Sequence, residues 1–241
     1  MSQFKDLYTE IFQKNGLEQY IRNDMIEKFG KLTEIMIQTN AVMNITALTA
    51  VEKIIPLHYA DCVKIAEYIP ESATVIDIGC GGGFPILPLA IVRPDLKITG
   101  LDSTDKKVRY VQNTANELEL QINTISARAE DTAKMPEYRD VFDVAISRAV
   151  ARMNLLDELC MPFVKVGGRF IAMKGAAGQE ELDEAQNGIQ RLGGEITRVV
   201  EYDLCTGLES EKRTVFEITK LTVTPKEFPR GFGAIKKKPL Y

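Results

Sequence analysis

Apolar positions recur at three- and four-residue steps along residues 1–70, as in Leu7, Ile11 and Phe12 and then Ile21, Met25, Phe29 and Leu32. Such spacing places them on one stripe of a helix, so this segment is expected to form a helical cap, with Asn44-Ile45-Thr46 marking a turn or helix start. From Thr74 onward the period changes. Short β-rich runs at 74–78, 97–102, 122–126, 141–147, 168–174, 197–203 and 214–221 predict strands. Helices are expected between them: 104–118 puts Val108, Val111, Ala115 and Leu118 on one face, and 183–192 supplies another. Strands alternating with helices imply an α/β fold, a seven-stranded, mostly parallel sheet with both faces covered. No internal repeat or low-complexity tract interrupts the pattern. The organisation read from it is a helical cap at 1–70, a core at 71–225 and a short basic tail at 226–241.

The run Val75-Ile76-Asp77-Ile78-Gly79-Cys80-Gly81-Gly82-Gly83-Phe84 is the most informative local feature. A β-branched strand enters a loop of glycines, which turn with positive φ and let a ligand approach the backbone where a Cβ would obstruct it. A dinucleotide fingerprint needs a third glycine where Phe84 stands. Gly79-x-Gly81-x-Gly83 instead suits S-adenosylmethionine, with no pyrophosphate to hold and with Asp77 as an acid placed near the cationic ligand. The next predicted strand ends at Asp102, 23 residues after Gly79, where a carboxylate can accept both ribose hydroxyls in either kind of site. A glycine turn that binds nothing is the plain alternative, and the strand, helix and second acid around this one weigh against it. The expected fold is therefore a Rossmann-like class I S-adenosylmethionine methyltransferase. Ligands in such sheets gather beyond the carboxyl ends of the strands, where Gly79, Asp102, Glu130 and Arg148 are expected to meet.

After the third strand, Ala129 and Glu130 are candidate adenine contacts, with an ordinary polar loop as the alternative. After the fourth, Ser147-Arg148-Ala149-Val150 stands where amine methyltransferases carry an Asn/Asp-Pro-Pro-aromatic motif, and Cys160 is too far along to serve as the nucleophile of C5 chemistry. An acceptor with a free lone pair, such as guanine N7, needs neither device. Orientation alone can supply on the order of 7–11 kcal/mol for such a transfer. Arg148 is a candidate for the N7/O6 edge, or equally a structural or cofactor-carboxylate partner.

Composition narrows the classes further. The chain has 241 residues, 45% hydrophobic, enough for one good core. No stretch is long and apolar enough for a membrane span and the N-terminus lacks a signal-peptide core, so a cytoplasmic protein with no membrane partner is expected. Cys62, Cys80, Cys160 and Cys205 are dispersed and His58 is the single histidine, so no metal site is expected and imidazole general-base schemes are few. The tail carries Lys226, Arg230, Lys236, Lys237 and Lys238 against Glu227 alone, although the whole chain is −4. That segment suits phosphate neutralisation or a solubilising disordered end.

The chain resembles the bacterial 16S ribosomal RNA guanine-N7 methyltransferase family, also called glucose-inhibited division protein B. The resemblance runs over nearly the whole chain, through Asn44-Ile-Thr46, Leu57-His58-Tyr-Ala-Asp61, Asp77 to Pro85, Ser147-Arg148-Ala149-Val-Ala, Met173-Lys174-Gly175 and Phe228-Pro229-Arg230. It implies S-adenosylmethionine-dependent methylation of N7 of one guanosine in 16S rRNA; the expected partner is that rRNA within a small subunit or its precursor, with naked rRNA also open, and a monomer is expected. It also implies that Gly79, Phe84, Asp102, Ser103, Thr104, Ala129, Glu130 and Arg148 hold the cofactor, beside Asp77 and Gly81 of the loop. Arg128, Lys174, Arg213 and Arg230 are the implied RNA contacts, and no catalytic base is named. His58 is expected to be structural, with RNA contact as the alternative. Two other functions remain open: a non-catalytic S-adenosylmethionine-binding module for RNA or a partner, and a methyltransferase for a small molecule or protein.

Overall fold

The structure, a computed structural model, describes residues 2–176 and 178–240, without the side chains of Ser2 and Gln179. Met1 and Tyr241, the ends of the expected cap and tail, lie outside the described residues. Seven strands form one sheet: β1 Thr74–Ile78, β2 Lys97–Asp102, β3 Ile122–Ser126, β4 Phe142–Arg148, β5 Val164–Lys174, β6 Gly194–Cys205 and β7 Ser210–Lys220. Their order is β3-β2-β1-β4-β5-β7-β6. The pairs from β3 through β5 are parallel, and β7 alone runs against the rest, between β5 and β6. The order reverses between β1 and β4, which opens a crevice beyond their carboxyl ends.

The helices are α1 Ser2–Lys14, α2 Asn23–Asn40, α3 Val51–Ile54, α4 Asp61–Val63, α5 Ile86–Val92, α6 Asp105–Glu117, α7 Ala129–Thr132, α8 Met153–Cys160, α9 Gly178–Arg191 and α10 Phe232–Lys237. A π-type turn, Ile55–Ala60, joins α3 to α4 and carries His58. Such turns are rare and concentrate at functional sites.

Strand parity determines which helices each residue meets, because successive side chains point to opposite faces. Val75 belongs to a core containing Tyr8, Phe12, Phe29 and Tyr59 of the N-terminal helices and turn, whereas Ile76 and Ile78 belong to a second core under α8 and α9. Asp77 shares the parity of Val75 and Arg148 that of Val144 and Ile146, so both face the N-terminal helices. The cap is thus one wall of the main core, with Phe29 packed on Phe12 and Tyr59 at 5.9 and 4.7 Å between ring centroids.

The tail is not a free end. Phe228, Ile235 and Leu240 are buried in the second core beside Phe216 and Leu182. The Arg230 guanidinium grips Glu158, a carboxylate with no exposed surface, at 2.6 Å. This corrects the disordered-end reading, and the Arg230 guanidinium is paired with the Glu158 carboxylate. The outer strands run longer than their apolar cores suggested: β6 and β7 project as a ribbon whose polar ends continue the pairing as far as Cys205 and Ser210.

Candidate active site

The glycine loop turns where the sequence requires it. Gly79, Gly81 and Gly83 have φ of +78, +52 and +86°, in the left-handed region that L side chains avoid. A Cβ on Gly79 would lie 2.5 Å from Val150 Cγ2, and one on Gly83 2.4 Å from Leu87 Cδ1. The first glycine therefore lets the loop after β4 lie over the end of β1. The third lets α5 pack against the turn.

Asp102, at the end of β2, organises this loop from below. Its Oδ2 accepts from the Gly81 N–H at 3.0 Å and its Oδ1 from the Thr104 N–H at 2.8 Å. Beyond it opens a cavity of about 470 Å³, walled by Gly79 to Gly82 and Phe84, by Asp102 and Ser103, by Ala127 to Glu130, and by Arg148 to Val150. The lining includes every loop expected at the ligand end of the sheet. Arg128 is exposed at its mouth. Thr104 is not in the wall; its backbone caps the carboxylate from behind.

Asp77 departs from expectation. It is fully buried beneath the loop, outside the cavity wall, and among the described residues neither oxygen has a hydrogen-bond partner. Burial pushes its carboxyl well above the usual range, with Arg148 opposing and the Asp102 charge adding to the rise. The Asp77 carboxyl thus lies inside the sheet beneath the loop and not in the cavity wall.

Arg148 forms the partition between this cavity and a second one of about 570 Å³, whose lining shares His58, Arg148, Ala149 and Val150 with the first. Its Nη1 donates to Leu57 O at 2.8 Å and to Asp61 Oδ2 at 3.2 Å, and its Nη2 donates to His58 Nδ1 at 3.0 Å. Those bonds make it a fixed wall rather than a free fork for a base. Because arginine only donates, His58 Nδ1 must accept, and Nε2–H donates to Thr46 Oγ1 at 2.8 Å. The ring stacks on Phe84 with centroids 4.2 Å apart. Burial first, and the Arg148 charge second, push the imidazole down to about 3, so it is neutral and too weak a base to take part in proton transfer.

The second cavity faces β6 and β7. Tyr202 donates to Asp61 Oδ1 at 3.0 Å, and Arg213 reaches the same oxygen at 3.4 Å and Glu211 at 2.8 Å. By parity both Tyr202 and Arg213 face the cap, where Asp61 waits. Lys174 has the opposite parity and turns to α9, where its ammonium donates to Glu181 at 2.9 Å and to Ala151 O at 2.6 Å. That pairing, with the side chain 8% exposed, ties Lys174 to α9 and to the loop after β4. The three buried thiols are held protonated: burial raises Cys80 in the cavity wall, raises Cys160, and pushes Cys62 up to about 12.

The family described as GidB, rRNA small subunit methyltransferase G, matches residues 25–205. A relative named ribosomal RNA small subunit methyltransferase G from Clostridium perfringens (strain SM101) is 40% identical over 241 residues, 99% of each chain. Another of that name from Brevibacillus brevis is 38% identical over 98% of this chain and 99% of its own. The chain belongs to this family. Among solved structures, the fold is similar to M. jannaschii TYW2 in complex with AdoMet, with a TM-score of 0.52 at 17% identity over 68% of this chain and 76% of the other. Geranyl diphosphate methyltransferase in complex with GPP and sinefungin gives 0.54 at 11% identity over 71% and 81%. Those two likenesses establish the fold: a Rossmann-like class I methyltransferase sheet.

Several wall residues of this family member were not read from its sequence as site residues. Lys107, in the first turn of α6, and Phe232, at the start of α10, both line the first cavity. Phe232 stands in the glycine-rich part of the tail, and its two-residue distance from Arg230 was the available signal: an anchored Arg230 brings it to the cavity rim. Ile45, Thr46 and His58 also line it; the sequence marked them as a turn, as the single histidine and as parts of the resemblance.

Proposed function

We propose that this protein transfers the methyl group of S-adenosylmethionine to N7 of a guanosine in 16S rRNA. The observation that carries the reading is a cavity built from the glycine loop, Asp102 and the loop carrying Ala129 and Glu130, backed by a second cavity across Arg148. The residues present fit the cofactor: the cradle has no room for a Cβ at Gly79 or Gly83, and Asp102 is a carboxylate already oriented by two backbone donors. When bound, S-adenosylmethionine supplies a methyl group on a positively charged sulfur.

In this reading Asp102 accepts from the ribose hydroxyls, Gly79, Gly81 and Phe84 shape the loop, and Ser103, Ala129 and Glu130 border the adenosine. Arg148 divides cofactor from acceptor. The guanine enters the second cavity, where Arg213 and Tyr202 stand with Asp61 on one side and the Lys174–Glu181 pair on the other. N7 has a free in-plane lone pair and loses no proton before it is alkylated, so the site needs alignment and no base. The described cavity agrees in kind: its imidazole is bonded at both nitrogens and its buried thiol is held protonated.

Phosphate contacts are assigned to exposed cations near the cavity mouth, Arg128 with Lys236 and Lys237 of α10, which follows Phe232 at the rim. Replacing Lys236 and Lys237 together with alanine is expected to weaken rRNA binding and lower the slope of log affinity against log salt by about 1–2, with cofactor affinity unchanged. A salt titration of binding checks this; an unaltered slope removes α10 from the interface. The function itself is tested by transfer of labelled methyl from S-adenosylmethionine to small ribosomal subunits and to naked 16S rRNA from cells lacking the enzyme. Incorporation into either supports it, and cofactor binding without incorporation into RNA overturns it.

A further inference from the structure

One imidazole ties together three separate segments of the cavity wall. His58 stacks on Phe84 of the glycine loop with rings 12° from parallel. Its Nε2–H donates to Thr46 Oγ1, which also accepts from the Leu48 N–H at 3.0 Å and so fixes the turn after α2. Its Nδ1 accepts from Arg148, which lines both cavities. A flat ring with a donor at one end and an acceptor at the other is what these three neighbours require together, and neutral histidine supplies it. A protonated ring would turn a second donor toward the Arg148 guanidinium. The remaining anchors of Arg148 leave it room to swing: both are on Nη1, and its charge lies over the Phe84 ring at 5.8 Å. Only His58 holds the Nη2 end among the described residues.

We infer that His58 is a positioning residue for methyl transfer, holding Arg148 as the wall that aligns the acceptor base with the cofactor. The inference rests on the reading that the first cavity holds S-adenosylmethionine and the second the acceptor. It gives the lone histidine a role other than core filling or RNA contact. The neutral ring moves no proton. Its contribution is geometric, and a misplacement of about 1 Å in such a wall can cost on the order of 100-fold in rate.

Two substitutions separate this role from packing. In His58→Asn the amide oxygen falls where Nδ1 was and can still accept from Arg148, while the Thr46 contact is lost. In His58→Gln the amide reaches the Nε2 position and keeps Thr46, while Arg148 loses its acceptor. Both variants forfeit the stack on Phe84. Expected is a fall in kcat of roughly 30-fold for His58→Gln and roughly threefold for His58→Asn, with the two melting temperatures alike and rRNA KM little changed. Equal losses in the two variants, or wild-type kcat in His58→Gln, would overturn the inference.

A second measurement needs no turnover. The chain has one histidine, so nitrogen NMR of the untagged, full-length protein shows a single imidazole. Expected is an unprotonated Nδ1 and a protonated Nε2 that stay so from pH 8 to 5, with the Nδ1 resonance moving in Arg148→Lys. A ring that titrates near its ordinary value in the wild type contradicts the contact. Should the wild-type protein transfer no methyl to rRNA, the proposed function fails, and the NMR result still decides whether His58 holds Arg148.

Discussion

Asp102→Ala is expected to raise the dissociation constant for S-adenosylmethionine by roughly 100-fold, the equivalent of losing about 3 kcal/mol of charge-assisted hydrogen bonding. Two losses combine. The ribose hydroxyls lose their acceptor, and the N–H groups of Gly81 and Thr104 lose the carboxylate that orients them, so the glycine loop is released at the position where φ is already positive. Asp102→Asn separates the two, because an amide oxygen can satisfy one of these donors and its NH2 cannot satisfy the other. An intermediate loss is expected for it. Calorimetric or fluorescence titration of cofactor reads both variants; binding within threefold of wild type in Asp102→Ala would remove the ribose assignment.

The second large effect falls on stability, far from the chemistry. Glu158 is fully buried and its carboxylate is held by the Arg230 backbone N–H and by three further contacts from its guanidinium, at 2.6 to 3.1 Å. Arg230→Ala leaves that charge in the second core with only a backbone donor. Breaking a buried pair from one side costs about 3–5 kcal/mol, and since the arginine side chain is 26% exposed the lower end, about 3 kcal/mol, is expected. For a chain of this size that is a fall in melting temperature of roughly 10 °C. Glu158→Gln with Arg230→Ala should recover part of the loss, because the neutral amide is cheaper to bury. Urea unfolding of the two variants checks this, and an Arg230→Ala protein as stable as wild type would show that the tail is not anchored there. Deleting 226–241 accordingly tests the fold before it tests RNA binding.

Why some of this was legible in the sequence and some not follows from what each signal encodes. Strands β1, β2 and β3 begin and end where the β-rich runs do, with β1 buried along most of its length and stopping at the glycine loop, and β2 stopping at Asp102. The ribbon of β6 and β7 outran its prediction because backbone pairing between Cys205 and Ser210 needs no apolar side chain. The tail was read from charge, yet Phe228, Ile235 and Leu240 hold it in place; three apolar residues across thirteen positions give no helical or strand period, and nothing local announces their common pocket.

The site divides in the same manner. Gly79, Gly81, Phe84, Asp102, Ser103, Ala129, Glu130 and Arg148 share one cavity wall, as motif spacing on a doubly wound sheet expects. Asp77 belongs to the motif but not to the wall, and strand parity with Val75 already placed it under the loop. Lys174 and Arg213 are both basic residues near strand ends, and parity sends them to different partners, Glu181 on α9 and Asp61 on α4. Asp61 is far from Arg213 in the sequence, and Glu181, seven residues after Lys174, sits on a separate helix, so neither pairing shows in composition or spacing. For that reason the internal ion pairs, and the part played by His58, emerged only with the fold.

Methyl transfer to guanine N7 needs alignment and no base. Its most direct test is to let the purified protein methylate small subunits from cells lacking the enzyme, digest the 16S rRNA to nucleosides and fragments, and identify the product by mass spectrometry. A single 7-methylguanosine at one position is the expected result. Methyl groups found instead on an exocyclic amine, a pyrimidine carbon or a ribose hydroxyl would contradict it.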